Sequence, residues 1–183
     1  MNKIFFFLFV LVLVGCKKDN FPAEPPKIEF GGWKYLQTDS LGHDNLVELK
    51  ITFKDRNGDI GRTESEQYDK CGRLLFDLFI FYEKKENNIY TPVFLNLPDS
   101  TLDENCQVVS GSYTPITQIN FKRALTYVQP EGNNRSIEGE ISYQLDNESA
   151  LTNLYPVGRF KVYLLDRARN KSNEIYTEDL VLH

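Results

Sequence analysis

The chain has 183 residues, 21 Lys and Arg against 26 Asp and Glu, a net charge of −5 and 41% hydrophobic residues. That length suits one domain able to bury a real core. The acidic balance excludes a nucleic-acid binder, which needs a basic face.

The N-terminus opens with Lys3 and runs through eleven apolar residues, Ile4 to Val14. A buried strand could use such a run, but it is too short to cross a hydrocarbon core, which takes roughly 20 residues. A lysine before it and Gly15-Cys16 after it fit an export signal better. The closing Leu13-Val14-Gly15-Cys16 resembles the lipobox of bacterial lipoproteins. The resemblance implies cleavage of residues 1–15 as a signal peptide and diacylglycerol on the Cys16 sulfur. The remaining 168 residues would carry a net charge of −6 and sit outside the cytoplasm on a lipid anchor.

Residues 16–31 carry charge, Pro25-Pro26 and no periodicity, which predicts a tether. Lys17-Lys18-Asp19, directly after the cysteine, is similar in part to the surface-export signals of Bacteroidetes lipoproteins. That implies the outer membrane, on its periplasmic or its cell-surface face.

From residue 32 to 183 the pattern is period two, and a single domain is expected. Strands are predicted at 32–38, 46–54, 74–82, 89–97, 115–124, 137–145, 158–166 and 174–182. In the second, Val47, Leu49, Ile51 and Phe53 alternate with Glu48, Lys50, Thr52 and Lys54. Residues 74–82 are apolar on nearly both faces and read as a central strand. No window shows helical periodicity. The fold class is all-β, an antiparallel immunoglobulin-like sandwich of about seven to nine strands. Trp33 beside Tyr35 reads either as core packing or as a glycan platform.

Two loops carry candidate chemistry. Asp55-Arg56-Asn57-Gly58-Asp59 places oxygen-bearing side chains at alternate positions with a glycine to bend the backbone. Ca²⁺ takes six to eight oxygens at about 2.3–2.6 Å, so this spacing suits it. The distal glutamate and flanking helices of an EF-hand are missing. Asn57-Gly58 also reads as a plain hairpin turn. The second loop runs from Asp166 to Asn173, and its three basic residues weaken an ion site. In immunoglobulin-like order the strands before these loops run the same way, which puts both loops at one pole. Asp55, Asn57, Asp59, Asp166 and Asn170 then form a candidate Ca²⁺ set, with Asp69 a weaker addition. Cys71 and Cys106 read either as a disulfide, permitted outside the cytoplasm, or as two free thiols.

The run Asp55 to Gly61 resembles the Asp-x-Asn-Gly-Asp-Ile-Gly signature of small Bacteroidetes outer-membrane lipoproteins with an immunoglobulin-like or cadherin-like β-sandwich. Phe81-Tyr82-Glu83-Lys84, Pro130 to Ile141, and Asp166 to Asn173 are similar to further segments of that family. The last is also similar to the Asp-x-Ala-Gly-Asn ending of bacterial immunoglobulin-like repeats, with Arg169 standing where glycine would. Asp39-Ser40-Leu41 and Asp99-Ser100-Thr101 resemble O-glycosylation acceptors, which marks Ser40 and Ser100. The family lends a fold and a location but no settled activity.

No nucleophile elbow, zinc-protease helix or phosphate loop is present in the sequence. The expectation is therefore no enzyme but a lipid-anchored envelope module that binds a protein or a glycan. The alternatives are a polymer hydrolase with a carboxylate pair such as Glu64 and Glu66 or Glu138 and Glu140, and a passive structural subunit.

Overall fold

The computed structural model describes residues 24–38, 40, 44–95, 102–109, 117–118, 120–130, 135–146 and 157–181. Cys16, Ser100 and the signal segment lie outside the described residues. The architecture is all-β, with one 3-10 turn at Glu64–Glu66. The strands are β1 (Lys27–Thr38), β2 (Asp44–Asp55), β3 (Leu78–Glu86), β4 (Ile89–Pro92), β5 (Phe94–Leu95) and β6 (Thr117–Gln118). They continue with β7 (Asn120–Arg123), β8 (Ile137–Asp146), β9 (Val157–Leu164), β10 (Ile175–Tyr176) and β11 (Leu180–Val181).

One antiparallel sheet has the order β1-β2-β8, a second β10-β9-β3-β4 with β7 also on β3 and β11 on β9, and β5 and β6 pair by themselves. This is the immunoglobulin-like arrangement, with β1, β2 and β8 in the places of strands A, B and E and β3, β9 and β10 in those of C, F and G. The core lies between the sheets. Val47, Leu49 and Ile51 from β2 meet Leu78 and Ile80 from β3 and Phe160, Val162 and Leu164 from β9. Phe160 is its hub, with ring centroids 5.0 Å from Tyr82, 5.8 Å from Trp33 and 6.1 Å from Phe121. Trp33 is thus a core residue and its pairing with Tyr35 is no platform; Tyr35 points outward, 48% exposed.

Several boundaries differ from the expectation. The first strand begins at Lys27, so residues 27–31 belong to the sandwich and not to the tether. Pro26 and Ile28 are fully buried, and the Asn173 amide brackets Ile28, accepting its N–H at 2.8 Å and donating to its carbonyl at 2.8 Å. The strand expected from 74 begins at Leu78, because Leu74 to Asp77 close a separate loop. The strand expected over 174–182 is broken in two at Thr177. There the Thr177 N–H donates to the Phe160 carbonyl at 2.9 Å, and its hydroxyl accepts the Phe160 N–H at 3.0 Å. Ser172 treats Leu164 the same way, both at 2.9 Å. Asn87 and Asn88, with φ of 52° and 62°, make the two-residue turn between β3 and β4.

A buried ion pair ties the crossover after β2 to the start of β3. Arg62 Nε donates to Asp77 Oδ1 at 2.8 Å, and Asp77 Oδ2 also accepts the Leu125 N–H at 3.2 Å. Burial pushes the Asp77 carboxyl up, and the Leu125 N–H and Arg62 oppose that. Removing one partner strands a buried charge, so Arg62→Met should cost about 3 kcal/mol. Adding Asp77→Asn, which keeps the acceptor for Leu125, should recover most of the loss. Denaturant unfolding checks both; a single-variant loss below about 1 kcal/mol would place the pair among inconsequential surface bridges.

Candidate carboxylate pole

β2 ends at Asp55 opposite the start of β8, and β9 ends at Leu164 opposite the start of β3. The loops after β2 and β9 meet there: the Arg167 N–H donates to the Asp59 carbonyl at 3.0 Å. The loop after β2 is not the hairpin turn that Asn57-Gly58 suggests. It carries the chain from one sheet to the other, pressed against Thr126, Tyr127, Pro130 and Arg135. Gly58, at φ 64°, has room for no side chain, since a Cβ would lie 2.1 Å from the Arg135 carbonyl oxygen. Gly61, at φ 78°, is equally confined by the Thr126 carbonyl oxygen at 2.4 Å. Both glycines are therefore steric requirements of the loop path.

Asp55 is fully buried and holds the loop from inside, accepting the Asn57 N–H at 3.3 Å and the Asp59 N–H at 2.8 Å. Asp166, also fully buried, heads a tight turn. Its carboxylate accepts the Asn170 N–H and the Asn170 Nδ2, both at 2.7 Å. The turn closes through Asp166 N–H to the Asn170 carbonyl at 3.1 Å and Arg169 N–H to the Asp166 carbonyl at 3.0 Å. Arg169 sits at φ 68°, a left-handed position that side chains other than glycine seldom adopt.

Asp59 stands between these two carboxylates. Burial, then Asp166, then Asp55 push its carboxyl up to about 6, and its Oδ1 is buried with no hydrogen-bond partner. The three basic residues of the second loop turn away from this point. Arg167 pairs with Glu66 and packs over the Tyr127 ring, Arg169 donates to the Phe76 carbonyl at 3.0 Å, and Lys171 pairs with Glu174 at 2.5 Å.

Of the five expected ligands, Asp59 feels the carboxylates of both Asp55 and Asp166. Asn57 turns its amide to the Glu24 carbonyl at 3.3 Å, and Asn170 is spent on Asp166. Asp69 heads a turn of its own elsewhere, accepting the Cys71 and Arg73 N–H groups at 2.8 and 2.9 Å. Among the described residues no three His, Cys, Asp or Glu side chains stand around one ion-sized point. Each carboxylate oxygen that accepts an N–H still has a second lone pair, and oxygens of this kind are what a hard cation takes.

The seat of the N-terminal segment could not be read from the sequence. Glu24 takes both its oxygens to Arg56 Nη1 at 2.9 and 3.0 Å, so the chain enters the domain at this same pole. Among the other candidates, Ser40 is exposed in the turn between β1 and β2. Glu138 and Glu140 pair with Lys54 at 3.4 Å and Lys50 at 2.6 Å on the wet face of the first sheet. Glu66 is held by Thr63 and Arg167, which bring its carboxyl down to about 2. Cys71 and Cys106 are joined by a disulfide.

Compared with known proteins, the chain matches no family model, no curated protein and no solved structure.

The raised Asp59 carboxyl sets a sign for stability against pH. The folded state binds its proton more tightly than the unfolded chain, so that contribution is present at low pH and lost as pH rises through about 6. In EDTA, Asp59→Asn should melt above the parent chain at about pH 7.5, and the gap should narrow toward about pH 5. A gap constant across that range would show that the Asp59 charge is not what the folded state resists.

Proposed function

We propose that this protein is a lipid-anchored binding module of the outer-membrane envelope, whose anchor-proximal loop pole is closed by one calcium ion. Export and lipidation rest on the Lys3 to Cys16 segment. The calcium reading rests on one observation: Asp59 is wedged between the buried Asp55 and Asp166 with a buried, unpartnered oxygen. Three like charges in so small a volume repel, and a divalent cation offsets that repulsion while giving the free Oδ1 a partner. Calcium is the suitable ion because the donors are all oxygens and the loops are irregular, which its flexible shell tolerates.

In this reading the ion is structural. It locks the loop after β2 to the loop after β9 and so ties the two sheets at the end where the tether enters. The sandwich above it then presents a fixed surface to a protein or glycan partner, with no acid–base chemistry at the pole.

The test is a thermal melt of the full chain in EDTA and in millimolar calcium, with Asp59→Ala alongside. Calcium should raise the melting temperature of the parent chain by several degrees, since saturation well above Kd stabilises by a few kcal/mol, about 2.7 at a hundredfold excess. Asp59→Ala should remove that rise while melting no lower than the parent in EDTA. Superimposed parent melts with and without calcium would overturn the ion.

A further inference from the structure

The loop between the crossover and β3 carries a feature that the carboxylate pole does not use. Asp69 and Asp103 each head the same five-residue turn. In both, the aspartate carboxylate accepts N–H groups two and four residues on, Cys71 and Arg73 in one, Asn105 and Gln107 in the other. In both, the fourth position has positive φ, 73° at Gly72 and 64° at Cys106. Each turn is closed by a bridge between its flanks, Tyr68 to Leu74 and Leu102 to Val108. The Cys71–Cys106 disulfide staples the two turns together, and Lys70 Nζ donates to the Glu104 carbonyl at 2.9 Å.

The result is a compact knob whose aspartates hold their own backbones, Asp69 also pairing with the Arg73 guanidinium at 2.8 Å, and whose apolar side chains point out. Tyr68 is 56% exposed, Leu74 38%, Val108 63% and Val109 43%. All four belong to the segments that the disulfide staples together, and grouped exposed apolar residues mark interaction surfaces. The foot of the knob is fixed to the carboxylate pole at both ends, through Arg167 to Glu66 and through Arg169 to the Phe76 carbonyl. Glu24 is held at that same pole by Arg56. Seven residues separate Cys16 from Glu24, and even fully extended that stretch reaches less than about 30 Å.

We propose that this knob is a lipid-facing foot, which rests on the reading of Cys16 as a lipid anchor. Tyr68, Leu74, Val108 and Val109 enter the interface of the leaflet that carries the anchor, and Lys70 and Arg73 lie at headgroup level. A tyrosine with aliphatic neighbours and flanking cations is interfacial chemistry. A single short tether leaves a domain free to tumble. A second contact at the tethered pole fixes which way the sandwich faces, with the β3–β4 turn at Asn87 and Asn88 farthest from the bilayer. The disulfide gives the foot its stiffness in an oxidising compartment.

The test uses the full-length lipidated protein in phosphatidylglycerol vesicles with and without brominated phosphatidylcholine. Tyr68→Trp reports the foot and Ile89→Trp the opposite end, each read above the signal of the partly buried Trp33. Emission from Tyr68→Trp should fall at least about twofold in brominated vesicles, while Ile89→Trp stays unchanged. Protein that floats with the vesicles but shows no quenching at Tyr68→Trp would overturn the foot and leave the anchor standing; the patch would then face a protein partner. Equal quenching at both positions would overturn the orientation. Protein that fails to float at all would overturn the anchor and the foot with it.

Discussion

Aspartate carboxylates that capture loop N–H groups hold this molecule together at one end. Asp69, Asp103 and Asp166 head three turns of one design, with the positive-φ position falling at Gly72, Cys106 and Arg169. Asp55 and Asp77 do a related job between elements, Asp55 on the crossover loop and Asp77 on Leu125 and Arg62. A carboxylate accepting several N–H groups is a strong, directional constraint. It lets loops keep fixed paths without forming strands, and it places charge where a core would otherwise be apolar.

That solution concentrates negative charge at the pole and makes Asp59 the pressure point. Asp55 and Asp166 are already committed to the backbone, so the third carboxylate has nowhere favourable to go unless it is protonated or meets a cation. The pole is also where the chain enters, through Glu24, Pro26 and the Asn173 clamp on Ile28, and where the stapled knob is rooted. On our proposal, anchor, ion and foot would share this one scaffold.

Much of the fold was legible because β2 and β8 each have one wet and one buried face, which writes period two into the sequence. Strand ends were less so. Leu74-Leu75-Phe76 reads as the start of a buried strand, yet Leu74 is exposed on the knob, because the Asp69 turn captures the chain first. Residues 27–31 read as tether from their proline-rich neighbourhood. They are strand because β2 supplies the ladder, Lys27 to Phe30 facing Lys54 to Ile51, while the Asn173 side chain, 145 residues from Ile28, holds the Ile28 backbone, a contact that no local pattern records. The meeting of the Asp55–Asp59 loop with the Asp166 loop was legible from topology, since parallel-running strands deliver their loops to one pole. The roles of the two asparagines were not, because an amide can donate as readily as accept. The repeated Asp-headed turn was visible only in retrospect, as an aspartate followed three residues later by a residue able to take positive φ.

The central claim is that one cation belongs between Asp55, Asp59 and Asp166. Calorimetric titration of the metal-stripped full chain with calcium tests it most directly. The account predicts saturable binding of a single ion per chain, accompanied by proton release near pH 6 as Asp59 ionises, and no binding in Asp59→Ala. An unchanged isotherm in Asp59→Ala, or no heat at all in the parent chain in buffers of different ionisation enthalpy, would contradict it.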